Sequence, residues 1–187
     1  LVAINSFGDN LRAALDDEAG TLLGADLLFE RSAPFTPRIK AIADSLGGEQ
    51  SRRVTFNSMA YFPRVEGTRL ATVRAGEAGY PYYGALVTQP AAAAARYLET
   101  GEALVDGGLL DAFDVAVGDS VQVGAYRYRI AGRVVEAPRE VNVQALFSPR
   151  VYIPLTRLDS TLLSTGSRAT YERFFFFGDG RDVEAMI

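Results

Sequence analysis

Residues 117–138 read VGDSVQVGAYRYRIAGRVVEAP, and few structures other than a β-hairpin accommodate that pattern. Val121, Val123, Tyr126, Tyr128 and Ile130 alternate with Gln122, Arg127 and Arg129, which sends apolar side chains to one face and polar ones to the other. Gly124-Ala125 supplies a two-residue connection with Gly first, which suits a type II′ turn. Every residue here has a structural role. None is suited to run a reaction.

The flanking segments widen the pattern. Leu1, Ile4, Leu11 and Leu15 recur at helical spacing and Gly20 can end the helix, so residues 1–20 are expected as an amphipathic helix. Thr21–Arg31 suits a buried strand, and Thr36 followed by Pro37 opens a helix that stops at Gly47-Gly48. Arg52–Phe62 and Arg69–Gly76 alternate as strands around a Glu66-Gly67 turn. Residues 89–146 then shift to an alanine run, short strands and tight turns. From Phe147 the mixed character returns, with strands in RVYIPLTRL and YERFFFFG and a helix starting in DGRDVEAMI, where Asp182 lies near the positive end. The expected fold class is α+β: a mixed α/β lobe (a βαβ unit plus a hairpin) from residues 21–88 and 147–187, with a β-rich lobe, 89–146, inserted into it.

Function classes fall away on composition. The chain has 187 residues, enough for one large domain or two lobes sharing a core, with 22% charged residues and a net charge of −4. Its cations are scattered arginines, with Lys40 the only lysine, so no basic surface is concentrated enough for nucleic acid. There is no His and no Cys, which removes Ser-His-Asp and Cys-His catalysis and most zinc-site chemistry. No apolar run approaches the roughly 20 residues of a membrane span. A start at Leu1 without Met and an end inside the opening of a helix suggest a piece of a longer polypeptide.

The remaining candidates each have two readings. Asp106, Asp111, Asp114 and Asp119 are close enough in sequence to offer a glycosidase-type carboxylate pair, but Asp106-Gly107 and Gly118-Asp119 fit turns better, and no calcium-loop spacing is present. Ser-Lys catalysis would have to draw on Lys40, with Ser58 as its partner, and nothing in the sequence brings the two together. No phosphate-cradling glycine motif occurs. No catalytic, cofactor-binding or metal-ligating residue is therefore assigned. In GYPYYG, Tyr80, Tyr82 and Tyr83 form either a contact patch for a protein or substrate or a packed junction at the entrance to the β lobe. The four phenylalanines of RFFFF suit a central strand buried on both faces.

Four ordered segments carry a resemblance over nearly the whole chain. AINSFGDNLRAALDDEAGTLLGADLLFE is similar to a stretch that leaves a first membrane helix and enters a first strand. FNSMAYF with LATVRAGEAGYPYYGAL, then ALVDGGLLDAFDVAVGDSVQVGAYRYRIAGRVVEAP, then FSPRVYIPLTRLDSTLLSTGSRATYE follow in order. Together they resemble the extracytoplasmic (MacB-like periplasmic core) domain of FtsX/MacB-type ABC transporter permeases, YbbP-like branch. Arg74-Ala75-Gly76 departs from the Lys-Ala-Val usual there, and TLLSTGSR is compact beside the usual Thr-Gly-Leu run.

The resemblance implies a porter-like α/β lobe carrying a sabre-like insert, with residues 1–20 as a stalk after the first membrane helix. It further implies no catalytic centre and no cofactor, a cytoplasmic ABC ATPase partner, a permease dimer and a parent protein in the inner membrane. The implied function is to couple ATP hydrolysis inside the cell to handling of a substrate or partner outside it. Two rivals are a free-standing secreted hydrolase, which needs facing carboxylates, and a periplasmic ligand-binding protein, which begins with a cleaved signal peptide.

Overall fold

The computed structural model describes residues 23–137, 148–159, 161–164 and 168–178. The expected helices at 1–20 and in DGRDVEAMI lie outside those residues. The described elements run β1 (Leu27–Arg31), α1 (Pro37–Leu46), β2 (Glu49–Phe62), β3 (Gly67–Gly76), β4 (Val87–Gln89), α2 (Ala93–Thr100) and β5 (Ala103–Asp106). There follow α3 (Gly107–Ala112), β6 (Ser120–Val123), β7 (Tyr126–Glu136), β8 (Arg150–Pro154), a 3₁₀ turn (Leu155–Arg157), α4 (Thr161–Ser164) and β9 (Thr170–Phe176).

Local chemistry explains most boundaries. Thr36 caps α1, its Oγ1 accepting from the Ile39 amide, with Pro37 at the first turn as expected. The Gly124-Ala125 turn joins β6 to β7 with Val123 opposite Tyr126, and Gly124 has φ +61°, a conformation suited to glycine. Two expectations change. The first strand begins only at Leu27, because the chain turns at Gly24 (φ +67°) where the Tyr80 ring packs. The segment DGGLLDA forms the short helix α3, since the Asp106 side chain accepts from the Gly108 amide and caps it.

All nine strands among the described residues join one mixed sheet. β1 and β2 both pair antiparallel with β9, so they run parallel to each other with α1 between them in sequence, the expected βαβ unit with β9 as its middle strand. The sheet also closes on itself. β2 pairs with β3, β3 with β8, β8 with β5, β5 with β7, β7 with β6, and β6 returns to β2. Closure removes the unpaired edges that an open six-strand sheet would leave. Two of these junctions are short: β5·β8 (Leu104↔Tyr152, Val105↔Val151) and β2·β6 (Ala60↔Val123, Tyr61↔Gln122).

Alternate residues of the ring point inward and form the main core. Phe56, Phe62, Val73, Val105, Val123, Ile130 and Ile153 all take part. Tyr128 joins them and donates from its hydroxyl to the Arg157 carbonyl (2.5 Å), whereas Tyr126, on the same face but at the turn, stays exposed beyond the end of the ring. α2 covers the outside of β5, β7 and β8, burying Ala93 and Tyr97 against Leu104, Ala131 and Tyr152. The close seat depends on Gly132, where a side-chain carbon would stand 2.5 Å from Ala93 Cβ. On the far side, α1 sets Ala43 against Leu27 and Phe175. As expected of a central strand, β9 buries Phe174 and Phe175 on opposite faces.

Candidate functional site

The outward residues of the same strands form a second, polar interior. The pairing register places Glu172, Arg53 and Gly76 in one row across β9, β2 and β3, and Thr170, Thr55, Arg74 and Tyr152 in the next, which reaches β8. Arg53 Nε donates to Glu172 Oε2 at 2.8 Å and Nη2 to Oε1 in a bidentate pair, and Thr55 Oγ1 donates to the same carboxylate at 2.7 Å. Glu172 is 5% exposed and Arg74 4%. Arg74 Nη1 donates to Tyr152 Oη at 3.3 Å, and its guanidinium lies 5.6 Å from that ring's centre.

What shields these charges from water is the GYPYYG segment. Tyr80 packs on Phe174 with ring centres 3.9 Å apart, and the Arg53 guanidinium sits 4.8 Å from the centre of each ring. Tyr82 stacks on Phe176 at 5.2 Å and Tyr83 meets it edge-on. The segment also ties down the chain near both limits of the described body. Tyr80 Oη donates to the Leu23 carbonyl, and the Tyr82 and Tyr83 amides donate to the Gly24 carbonyl. Asp26 accepts from Tyr83 Oη at 2.5 Å and from the Phe177 amide at 2.7 Å, so the segments around residues 24 and 177 meet at one carboxylate.

Beside this junction lies a cavity of about 40 Å³, bounded by Arg52, Arg53, Arg74, Tyr80, Tyr97 and Tyr152, with Glu77, Pro81 and Leu86 at its border. Arg52 holds both oxygens of Glu77. Burial pushes the Tyr97 hydroxyl up to about 12, so it stays neutral and able to donate at any physiological pH. Two of the three arginines here are held by carboxylates, Arg52 by Glu77 and Arg53 by Glu172, and the third, Arg74, donates to Tyr152.

The other sequence candidates are dispersed. Asp106 caps α3 and lies 3.8 Å from Arg150, while Asp111 pairs with Arg133 at 2.7 Å. Asp119 accepts from the Ala116 amide and from Arg64 at 2.9 Å, and Asp114 is fully exposed near that same arginine. Each serves a turn, a cap or an ion pair. Lys40 is exposed on α1, and Ser58 is half-buried on β2 opposite Ala71. Among the described residues, no group of three or more acidic side chains is placed to hold a metal ion. The set Arg53, Arg74, Tyr97, Tyr152 and Glu172, all buried except the half-buried Arg53, is almost unmarked in the sequence. A charged residue inside a strand otherwise rich in small apolar residues, as Arg74 is in LATVRAG, is the one available signal.

Comparison with known proteins bears on what this arrangement belongs to. The uncharacterised ABC transporter permease YbbP of Escherichia coli (strain K12) is 25% identical over 185 residues, 98% of this chain. The chain spans 22% of that relative's length. Among solved structures, a domain of a permease-type protein from Porphyromonas gingivalis superposes with a TM-score of 0.53 at 14% identity, over 85% of this chain and 77% of that one. The extracellular domain of the noncanonic ABC-type transporter YknZ from Gram-positive bacteria does so with 0.52 at 16%, over 81% and 83%. At such identities the structures speak to the fold alone, which they share. The family model for the MacB-like periplasmic core domain matches residues 1–186, and the chain belongs to that family.

Proposed function

We propose that this domain is the extracytoplasmic, non-catalytic part of an ABC-type exporter permease in the inner membrane, coupling cytoplasmic ATP hydrolysis to handling of a substrate or partner outside it. The parent works as a dimer with a cytoplasmic ABC ATPase, and residues 1–20 act as the stalk that delivers motion. The observation that carries this reading is the junction at Asp26, where one carboxylate binds Tyr83 and the Phe177 amide. A pull on the chain at either place arrives at the tyrosine segment. Tyr80, Tyr82 and Tyr83 then serve both as the clamp and, along their half-exposed edges, as the contact surface for substrate or partner.

The two-lobe division belongs to the same proposal. Residues 21–88 with 147–187 and residues 89–146 meet in the sheet at β5·β8 and β2·β6, each registered over two residue pairs, and at the start of β4·β7 (Val87↔Glu136, Thr88↔Val134), against ten pairs for β2·β3. Short seams between longer ladders are where relative movement costs least.

The test is to isolate from native membranes the polypeptide that carries this sequence. It is expected to sediment with the membrane, to co-purify with an ATPase subunit, and to lose substrate-dependent change in ATP turnover when Asp26→Ala frees the junction. A polypeptide found only in the soluble fraction, or turnover unaltered in the variant, removes the proposal.

A further inference from the structure

We infer that the sheet accepts one more strand, an extended acidic segment of a partner protein, at the place where β5 stops short between β7 and β8. β5 ends at Asp106 because the chain turns there into α3, yet both of its neighbours run on. β7 pairs parallel with β5 as far as Asp106↔Val134 and continues through Val135 and Glu136. β8 pairs antiparallel with it at Leu104↔Tyr152 and Val105↔Val151, so Arg150 comes next, opposite Asp106, where the ladder has already ended. The Thr72 amide donates to the Pro149 carbonyl, which turns the Pro149 main chain toward β3. Arg150, one residue on, therefore turns its own main chain toward the β5 side. Among the described residues, no strand continues β5 between these two, and a strand edge left so is a template for an incoming chain.

The position is open. Two cavities, of about 400 and 380 Å³, share Asp106 and Gly108 as a common wall. One extends over Leu109 and Phe113 to Arg69, the other over Val135 to Arg133 and Arg150. Each has room for side chains of an added strand. Charge selects what kind of strand. Arg133 is held by Asp111 at 2.7 Å, so that pair is closed. Arg150 is held less well: its Nε is buried without a hydrogen-bond partner and stands 3.8 Å from Asp106, past hydrogen-bond reach. Asp106 directs its other oxygen to the Gly108 amide. Arg69 is exposed and forms no ion pair with a described residue. Two cations against one carboxylate remain, and an acidic side chain on the added strand gives Arg150 Nε an acceptor. Val135, 56% exposed, offers an apolar contact to its neighbour. The site stands independently of the coupling proposed above, since binding without any effect on ATP turnover would remove the coupling and leave the site.

The probe is a blocked pentapeptide, Ser-Val-Glu-Val-Thr, titrated calorimetrically into the 187-residue chain. It is expected to bind one-to-one, and the Arg150 main-chain amide is expected to exchange with solvent about tenfold more slowly in the complex as strand bonds form. Two control peptides carry Lys in place of Glu, or N-methyl groups at alternate residues, and both should bind at least about tenfold more weakly. Arg150→Met should weaken the first peptide about tenfold and Val135→Ala about threefold. Because Arg150→Met removes a largely buried cation and can disturb folding, amide exchange in the unmodified chain and the exposed Val135→Ala variant serve as separate readouts. The inference is overturned if the acidic peptide does not bind, if either control binds as tightly, or if exchange at Arg150 is unaltered. A chain that dimerises by itself in sedimentation, and becomes monomeric as Val135→Lys, would assign the position to a second copy and overturn it too.

Discussion

The inner and outer faces of one set of strands make opposite use of burial. On β3, Ala71, Val73 and Ala75 point into the ring and join its apolar core, while Arg74, between the last two, is also buried on the other side. The inner face is held by packing, which is insensitive to charge and costs most when volume is lost. The outer face is held by a few directional contacts among Arg53, Glu172, Thr55, Arg74 and Tyr152, where one lost partner strands a charge. The first face makes the body rigid. The second leaves it chemically addressable.

The largest effect expected on this contrast is Phe62→Ala. Phe62 is fully buried and packs its ring 5.2 Å from that of Phe113, so truncation should cost about 3–5 kcal/mol in urea unfolding. Next comes Glu172→Gln, which leaves the Arg53 guanidinium buried without its counter-charge and should cost about 3 kcal/mol. Replacing both partners by apolar residues, Arg53→Met with Glu172→Leu, should recover most of that loss. If the double variant is no more stable than the single one, the outer face is held by packing as well, and the contrast fails.

Alkaline titration gives a smaller, graded effect. An unfolded tyrosine ionises near pH 10, whereas Tyr97 holds its proton to about 12. Between those values the unfolded chain binds fewer protons, so stability falls as pH rises, by on the order of 2 kcal/mol from this residue. Stability curves collected from pH 8 to 12 should show the fall in the native chain and a shallower one in Tyr97→Phe. The smallest change is expected outside both faces. Arg129 pairs with Glu102 at 3.0 Å while two-thirds exposed, and Arg129→Ala should move stability by less than about 0.5 kcal/mol.

Much of the inner face was legible beforehand. The alternation of Val121, Val123, Tyr128 and Ile130, the Gly124-Ala125 turn, the Thr36 cap and the doubly buried phenylalanines of β9 follow from spacing and residue type, and all recur in the structure. Ring closure was not legible. It joins Ala60 to Val123 and Leu104 to Tyr152, across tens of residues, and local periodicity carries no information about such partners. Asp106 and Asp119 were both expected in turns; Asp119 bonds its neighbouring backbone there, while Asp106 makes the same kind of local bond but caps the short helix α3.

The candidate site marks the boundary between the two kinds of information. Sequence by itself determined that β2 and β3 alternate, that one set of their residues is apolar, and that GYPYYG is an unusual aromatic cluster. Arg53, Arg74 and Glu172 occupy the polar phase of that alternation, where a half-exposed strand normally presents charge to water. Only the tertiary structure turned that phase into an interior, by laying Tyr80 over Arg53 and α2 over Tyr152. The physical reason is that strand periodicity decides which side chains share a face, whereas the covering of that face depends on segments distant in the chain. A charge is buried or solvated according to that cover, which no local pattern encodes.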